Sequence, residues 1–374
     1  MSTNTIAAEA FSPGEFLRDE LEARGWTQTE FAEMIGQSHR LVNEVIAGKR
    51  AVTPEVAHKL AAAFGTSAQL WMNLESAWQL SKVAANTTSI SREAALRGRF
   101  PVREMIKRGW IVATKSFDDL ESAVLNHFHI KTVTDVISLP HAARRNRDND
   151  LSTSQWAWIF RVYQLADALK VSRYSEQKLR EAIPKLERLM TEPEEIRHVP
   201  RILAECGVRL IVVEPIPGSK IAGVCFWLNG NDPVIGLSLK GDHIDRFWFN
   251  LWHEIEHVLR GDGKDSLIID DFDDATPSNN EDECERAADE AAANHCVPVV
   301  AMSDFIARHN PMFSEKGLIG FSKIMKRHPG IVAGQIQKKT GRWDLFKKYQ
   351  VRVRQLVIQS AVTDGYKQNG PSRI

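Results

Sequence analysis

The residues of this chain best suited to chemistry are His253, Glu254 and His257, in the order His-Glu-Ile-Glu-His. They fall in a stretch, Asp245 to Leu259, that reads as a helix. On a helix, residues i and i+4 share a face, so both imidazoles can reach one ion. Glu254 is then placed to take a proton from a water on that ion. The short pattern also occurs in helices that bind nothing, so it needs support from elsewhere in the chain.

A catalytic zinc site takes three protein ligands and keeps one position open. The third ligand is found in the alanine-rich, helix-favouring run from Glu283 to Asn294, where Glu285 and Asp289 share a face by the same spacing. A carboxylate on the ion, with a second carboxylate accepting the far N–H of a ligating histidine, is a recurring zinc arrangement. The reading is Zn2+ held by His253, His257 and Glu285, with Asp289 behind His253 to fix its tautomer. The alternative is that Glu285 and Asp289 pair with Arg286 and other surface charges. Zinc so held lowers the pKa of water toward ~7, and Glu254 serves as general base, returning the proton to a leaving amine. Glu256 points away from the ion. Further on, Arg327-His328-Pro329-Gly330 reads as a loop entering a helix. His328 is a candidate donor to a tetrahedral oxyanion, the alternative being a loop histidine outside the chemistry.

His253-Glu-Ile-Glu-His257, followed by Glu285-x-x-x-Asp289-x-x-Ala292 and Val297-Pro298, resembles the ImmA/IrrE family of metallo-endopeptidases. The resemblance extends upstream through Gly207–Val213, Ile221–Trp227 and Pro233–Leu239. It implies an α+β, zincin-like domain with a gluzincin-like site and, as in several members, a helix-turn-helix repressor as the protein cut. Where the family often has Phe-Ala after the aspartate, this chain has Ala291-Ala292, a packing change that touches no ligand. The three upstream runs are apolar and β-rich, with Gly, Pro and Asn between them, and predict a small sheet beside the motif helix. In such peptidases an edge strand holds the substrate backbone by strand addition. Between the two halves of the motif lie Asp262, Asp265, Asp270, Asp271, Asp273, Asp274, Glu281, Asp282 and Glu283. They read as a solvated acidic loop, the alternative being selection of a basic substrate segment or gating of the cleft.

The first eighty residues carry a second signal. Ser12-Pro13-Gly14-Glu15 and Thr27-Gln28-Thr29-Glu30 are capping boxes. Ser38 and Thr53 open two further helices, and Gly25, Gly36, Gly48 and Gly65 close the four. Short helices with tight turns predict a helix-turn-helix module, with helix two at Thr27–Ile35 and the recognition helix at Ser38–Ala47. With Leu41, Val45 and Ile46 inward, His39, Arg40, Asn43 and Glu44 face out. Arg reads guanine and Asn reads adenine in the major groove. Gln28, Ser38, Lys49 and Arg50 complete the predicted DNA-binding set, the last two and Gln28 as phosphate contacts. The alternative is a small helical cap with a polar face. Leu41 to Leu60, then Phe64-Gly-Thr-Ser67 and Leu70-Trp-Met-Asn-Leu74, are similar to HigA-type antitoxins of the lambda-repressor-like (XRE) class. One such module binds weakly, so the resemblance implies a homodimer on palindromic double-stranded operator DNA.

Lysine plus arginine and aspartate plus glutamate both number 48, so no net field points to nucleic acid or membrane. No apolar run approaches the ~20 residues that span a bilayer, and the start lacks the basic and apolar regions of a secretory signal. The cysteines, Cys206, Cys225, Cys284 and Cys296, form no C-x-x-C pair and suit a reducing bacterial cytoplasm, at the nucleoid when the chain is on DNA.

The expected architecture is multidomain, mainly α with a small β-sheet. An all-α helix-turn-helix domain spans 1–81, and a linker with a helical scaffold spans 82–200. A zinc metallopeptidase domain spans 201–345, and a helix with a disordered tail spans 346–374. Lys82–Ser91 reads as the linker and Ala142–Asp150 as a charged loop. The function read from both motifs is an antitoxin-like DNA-binding regulator carrying a zinc endopeptidase that cuts itself or a partner regulator. The alternative is a HigA-like antitoxin and autorepressor that neutralises a toxin by contact, with a structural or vestigial metal site. Glu254 favours the first, because a structural site has no use for a general base.

Overall fold

The computed structural model describes residues 11–83, 87–139, 151–264, 267–271 and 283–366. The charged run 142–150, Asp265, Asp273, Asp274, Glu281, Asp282 and the tail from Gln368 lie outside the described residues. The chain forms two units, Met1–Ala94 and Ala95–Ile374. Among the described residues no helix is long and apolar enough to cross a membrane.

The first unit is all-helical: α1 (Pro13–Arg24), α2 (Gln28–Met34), α3 (His39–Ile46), α4 (Pro54–Phe64) and α5 (Ala68–Val83). The start signals act as their chemistry predicts. Ser12 and Thr27 accept the N–H groups of Glu15 and Glu30, whose carboxylates reach back to the cap N–H. Ser38 and Thr53 cap α3 and α4. The apolar faces meet in one core that includes Leu17, Leu21, Phe31, Val45, Leu60 and Trp71. Glu75 of α5 is buried, which requires partners for its charge. Its Oε2 accepts from the Val52 N–H at 2.9 Å and its Oε1 from Gln79 Nε2 at 2.7 Å, so it pins the α3–α4 connection.

Helices α1 and α3 approach so closely that a Cβ on Gly14 would lie 2.4 Å from the Val45 carbonyl oxygen and 2.6 Å from that of Ile46. Both are backbone atoms at the end of the predicted recognition helix, so the helices must part to accept a methyl group. Gly14→Ala is expected to cost about 1–3 kcal/mol, the usual range for overpacking. Urea denaturation of the full chain checks this as a lower midpoint for the first unit's transition.

The division between the units falls inside α6 (Thr87–Arg99). The stretch read as a linker is largely helical: Lys82 and Val83 end α5, and Thr87 to Ser91 begin α6. The second unit continues with α7 (Val102–Lys107), α8 (Phe117–His127), α9 (Thr153–Ala168), α10 (Glu176–Leu189) and α11 (Val199–Cys206). Strands β1 (Arg209–Val213), β2 (Ile221–Leu228) and β3 (Asp232–Leu237) follow, then α12 (Ile244–Arg260), β4 (Ile268–Asp271) and α13 (Glu283–Cys296). The unit ends with α14 (Val299–His309), α15 (Glu315–Met325), α16 (Pro329–Thr340), α17 (Arg354–Ile358) and β5 (Val362–Asp364).

The strands form one mixed sheet in the order β4-β2-β3-β1-β5. β1 is parallel to β3 and β5, and β2 is antiparallel to β3 and β4. Side chains alternate between its two faces, as the strand period of two requires. Leu210, Val212, Cys225, Trp227 and Ile235 join the core under α10, α11, α12 and α13. Ile211, Val213, Val224, Phe226 and Val234 join the core under α9 and the helices before it. Both faces are covered, which is why β2 is buried along its whole length and reads as an unbroken apolar run.

The sequence reading separates 82–200, 201–345 and 346–374, whereas the structure gathers 95–374 into one unit. α9 packs Trp156, Trp158, Phe160 and Val162 into the same cluster as the sheet, and Trp158 Nε1 donates to Val213 O at 3.0 Å. At the far end, the stretch read as helix and tail supplies β5, which pairs Val362 with Ile211. Asp364 of β5 accepts from Trp110 Nε1 at 3.1 Å and pairs with Arg161 of α9. Part of the acidic loop is also a strand, because Ile268 and Ile269 are apolar and pair along β2, Ile268 with Cys225 and Ile269 with Val224.

Candidate functional site

α12 buries Phe247, Trp248, Leu251, Trp252, Ile255 and Val258 in the core and turns His253, Glu254 and His257 to another buried face. The i, i+4 spacing brings the two Nε2 atoms to 3.0 Å. α13 packs against α12 through the small residues Ala288, Ala292 and Cys296, which allow close approach. It carries Glu285 Oε2 to 3.2 Å from His253 Nε2 and 3.7 Å from His257 Nε2. One ligand atom from each of His253, His257 and Glu285 lies within 4.8 Å of the others, and this is the group of metal-competent residues found among the described residues.

Each histidine has a carboxylate at its other ring nitrogen. His253 Nδ1 is 3.0 Å from Asp289 Oδ1, on the helix face that Asp289 shares with Glu285. His257 Nδ1 is 3.1 Å from Asp262 Oδ2, a partner the sequence reading placed in a solvated loop. α12 ends at Gly261 with φ 75°, which reverses the chain and turns the Asp262 carboxylate back onto the helix. The Asp262 N–H donates to His257 O at 2.9 Å, and its carbonyl accepts from Trp227 Nε1 at 2.7 Å, so the turn is tied to both α12 and β2. The Gly-Asp-Gly turn directly after the motif helix was the available signal.

These contacts decide whether the residues suit a cation. Carboxylates at both Nδ1 atoms favour the Nδ1–H tautomers, leaving the Nε2 lone pairs directed at one another and at Glu285. Three acceptors converge there, and positive charge between them is what that arrangement requires. A proton on an imidazole Nε2 answers the same demand for positive charge, and the proton affinities of the cluster follow from it. Burial pushes the Glu285 carboxyl up, but hydrogen bonding from His253 and His257 outweighs it and draws it down to about 2. Burial likewise opposes the charged form of His257, and the Glu285 contact overrides it and raises its pKa. Asp289 is held low against its burial by His253 and by Lys338, whose Nζ is 3.7 Å away. The residues fit a metal ion with two nitrogen ligands and one oxygen ligand.

Asp262→Ala is expected to weaken divalent-metal affinity about 10–100-fold, the usual cost of losing a carboxylate behind a ligating histidine. Competition against a chromophoric chelator measures it, and Asp289→Ala should fall in the same range.

Glu254 is buried on α12 at 1% exposure, whereas Glu256 is half-exposed and outside the cluster. The structure does not bring His328 to the cluster. It is the N-cap of α16, its Nδ1 accepts from the Gly330 N–H at 3.0 Å, and burial lowers its pKa. Gly330 packs against Ile244, the first residue of α12. At 1.5 Å per residue, that end of the helix is roughly 13 Å from His253. The four cysteines are free, with Cys284 half-buried and the others buried.

In the first unit, α3 buries Leu41, Val42, Val45 and Ile46 and exposes His39, Arg40 and Asn43. Asn43 Nδ2 is 3.4 Å from Gln28 Oε1, so the first residue of α2 meets the exposed face of α3. Glu44 holds both Arg40, at 2.7 Å, and Arg50, at 3.2 Å. Lys49 and Arg50 are exposed after the helix, and Ser38 uses its hydroxyl oxygen to accept the Leu41 N–H.

A helix-turn-helix family model matches residues 17–71, and the model of the IrrE N-terminal-like peptidase domain matches residues 206–327. The uncharacterized HTH-type transcriptional regulator YddM of Escherichia coli is 35% identical over 80 residues, 21% of this chain and 84% of that protein. Virulence-associated protein I of Dichelobacter nodosus is 32% identical over 83 residues, 22% of this chain and 77% of that protein. Among solved structures, the Pseudomonas aeruginosa antitoxin HigA with the higBA promoter is 36% identical, covering 22% of this chain and 91% of that one, with a TM-score of 0.21. The chain thus carries a helix-turn-helix domain of the XRE type in its first unit and an IrrE-like domain of the metallopeptidase kind in its second.

Proposed function

We propose that this chain is a DNA-bound transcription regulator whose second unit is a zinc-dependent endopeptidase, used for a regulatory cut in the chain itself or in a partner regulator. The observation that carries the reading is the buried Glu254, beside His253 and His257 on one helix, in a chain that also holds a helix-turn-helix unit. His253, His257 and Glu285 would hold the ion, which supplies Lewis acidity to a scissile carbonyl and to water. Glu254 takes a proton from the attacking water and passes it to the leaving amine. Asp289 and Asp262 accept the Nδ1–H of the two histidines and keep their rings in place. β4, the sheet edge next to β2, offers its outer side to an extended substrate backbone.

On the DNA side, His39, Arg40 and Asn43 enter the major groove, Gln28 supports Asn43, and Lys49 and Arg50 meet phosphates. Two copies on a palindromic site would supply the affinity that one module lacks. A pure antitoxin role leaves the buried Glu254 beside the ligand histidines without a task. The test compares cells expressing the unsubstituted chain with cells expressing Glu254→Gln, by mass spectrometry of newly formed protein N-termini. Cleavage products confined to the unsubstituted chain support the proposal, and identical N-termini in both sink it.

A further inference from the structure

The reading of Glu254 as general base says what its carboxylate does but not what holds it. The other wall of its site is β2. Residues of β2 alternate between the two faces of the sheet, and Cys225 and Trp227 lie on the α12 side. Gly223 is two positions before Cys225 and so shares that side. A Cβ built on Gly223 would lie 2.0 Å from Glu254 Oε1, 3.0 Å from its Cδ and 3.3 Å from its Cγ. All three of its nearest neighbours belong to that one side chain. Glycine is unfavourable inside a strand unless another group must come close to the backbone. Gly236, on the neighbouring strand, has a different explanation, since its Cβ would meet Val224 and Val162 on the opposite face.

We infer that Gly223 is a positioning residue: the bare backbone of β2 at this point is the seat of the Glu254 carboxylate, and any side chain there expels it. The inference rests on the proposed role of Glu254 and adds a residue that acts through it. The displaced atoms are the far end of a flexible side chain, so Gly223→Ala should move the carboxylate and leave the backbone in place. None of the atoms nearest the added methyl group belongs to His253, His257 or Glu285, so the metal ligands should stay where they are.

The test is a double-substitution cycle in the full chain, Gly223→Ala against Glu254→Ala, read first by thermal unfolding of the zinc-free protein. Gly223→Ala alone should lower the midpoint of the second unit by about 2 °C or more, the shift that ~1 kcal/mol produces in a domain of this size. In the Glu254→Ala background the same substitution should be neutral or raise the midpoint, since alanine is the better strand residue. An equal loss in both backgrounds overturns the inference, and this arm decides the contact whether or not a peptide is cleaved.

The second readout is zinc affinity, by chelator competition, beside hydrolysis of a quenched-fluorescent peptide selected from a library. The expected result is unchanged zinc affinity, unchanged KM and a kcat lowered at least about tenfold, as displacement of a general base predicts. Full kcat in Gly223→Ala, with hydrolysis lost in Glu254→Gln, overturns the inference alone. Full hydrolysis in Glu254→Gln overturns the peptidase reading and with it any catalytic meaning for Gly223.

Discussion

Glu254→Gln should lower peptide hydrolysis about 10²–10⁴-fold, the contribution of a well-placed general base. The change is nearly isosteric and keeps the side chain in its buried place against β2. The amide has no basic oxygen to accept a proton from water, so the loss should appear in kcat rather than KM. The two histidines and Glu285 are untouched, so zinc should stay bound. The first unit has its own core, with Leu17, Phe31, Val45 and Trp71 packed together, so operator affinity should also stay. Three measurements on one sample check this: turnover of a cleaved peptide or of the chain itself, zinc content after dialysis, and operator binding by fluorescence anisotropy. Cleavage that survives the substitution ends the peptidase proposal. Loss of cleavage together with loss of zinc points instead to a collapsed site.

The combined His39→Ala, Arg40→Ala and Asn43→Ala variant should lose specific operator binding by about 10²-fold or more, since each good base pairing is worth about 1–3 kcal/mol of discrimination. These side chains are exposed, and the residues that build the core from α3, Leu41, Val42, Val45 and Ile46, are unchanged. Folding and zinc content should therefore be unaffected. Lys49→Ala and Arg50→Ala should behave differently. They should weaken binding to all sequences alike and reduce the slope of log affinity against log salt by about one for each phosphate no longer neutralised. Sequence-specific binding retained by the triple variant would remove α3 as the reading helix. Glu44 adds a detail to the measurement, because it holds Arg40 and Arg50 in the DNA-free chain, and engaging either arginine on DNA gives up its pairing.

Local rules made much of this protein legible in its sequence. Ser12 with Glu15 and Thr27 with Glu30 cap their helices because both partners lie within one turn. The approach of His253 and His257 follows from helical spacing alone, and so does the outward face of α3. Glu285 and Asp289 were legible as a pair for the same reason, although their distance from the histidines depends on how α13 packs on α12.

What the tertiary structure decided has longer range. It placed Asp262 behind His257 through the reversal at Gly261, and it joined β5 to the far edge of the sheet. It assigned His328 to cap α16 at the opposite end of α12 from the ligands, because a loop histidine carries no period that locates it. It also set Gly223 of β2 beneath Glu254 of α12, two residues that share no element and no local spacing. The sequence by itself determined which residues share a helix face and where helices begin, since those depend on neighbours within a turn or two. Which faces meet, and which carboxylate stands behind which histidine, was decided by burying the apolar sides of α12, α13 and the sheet together, a condition that no local pattern expresses.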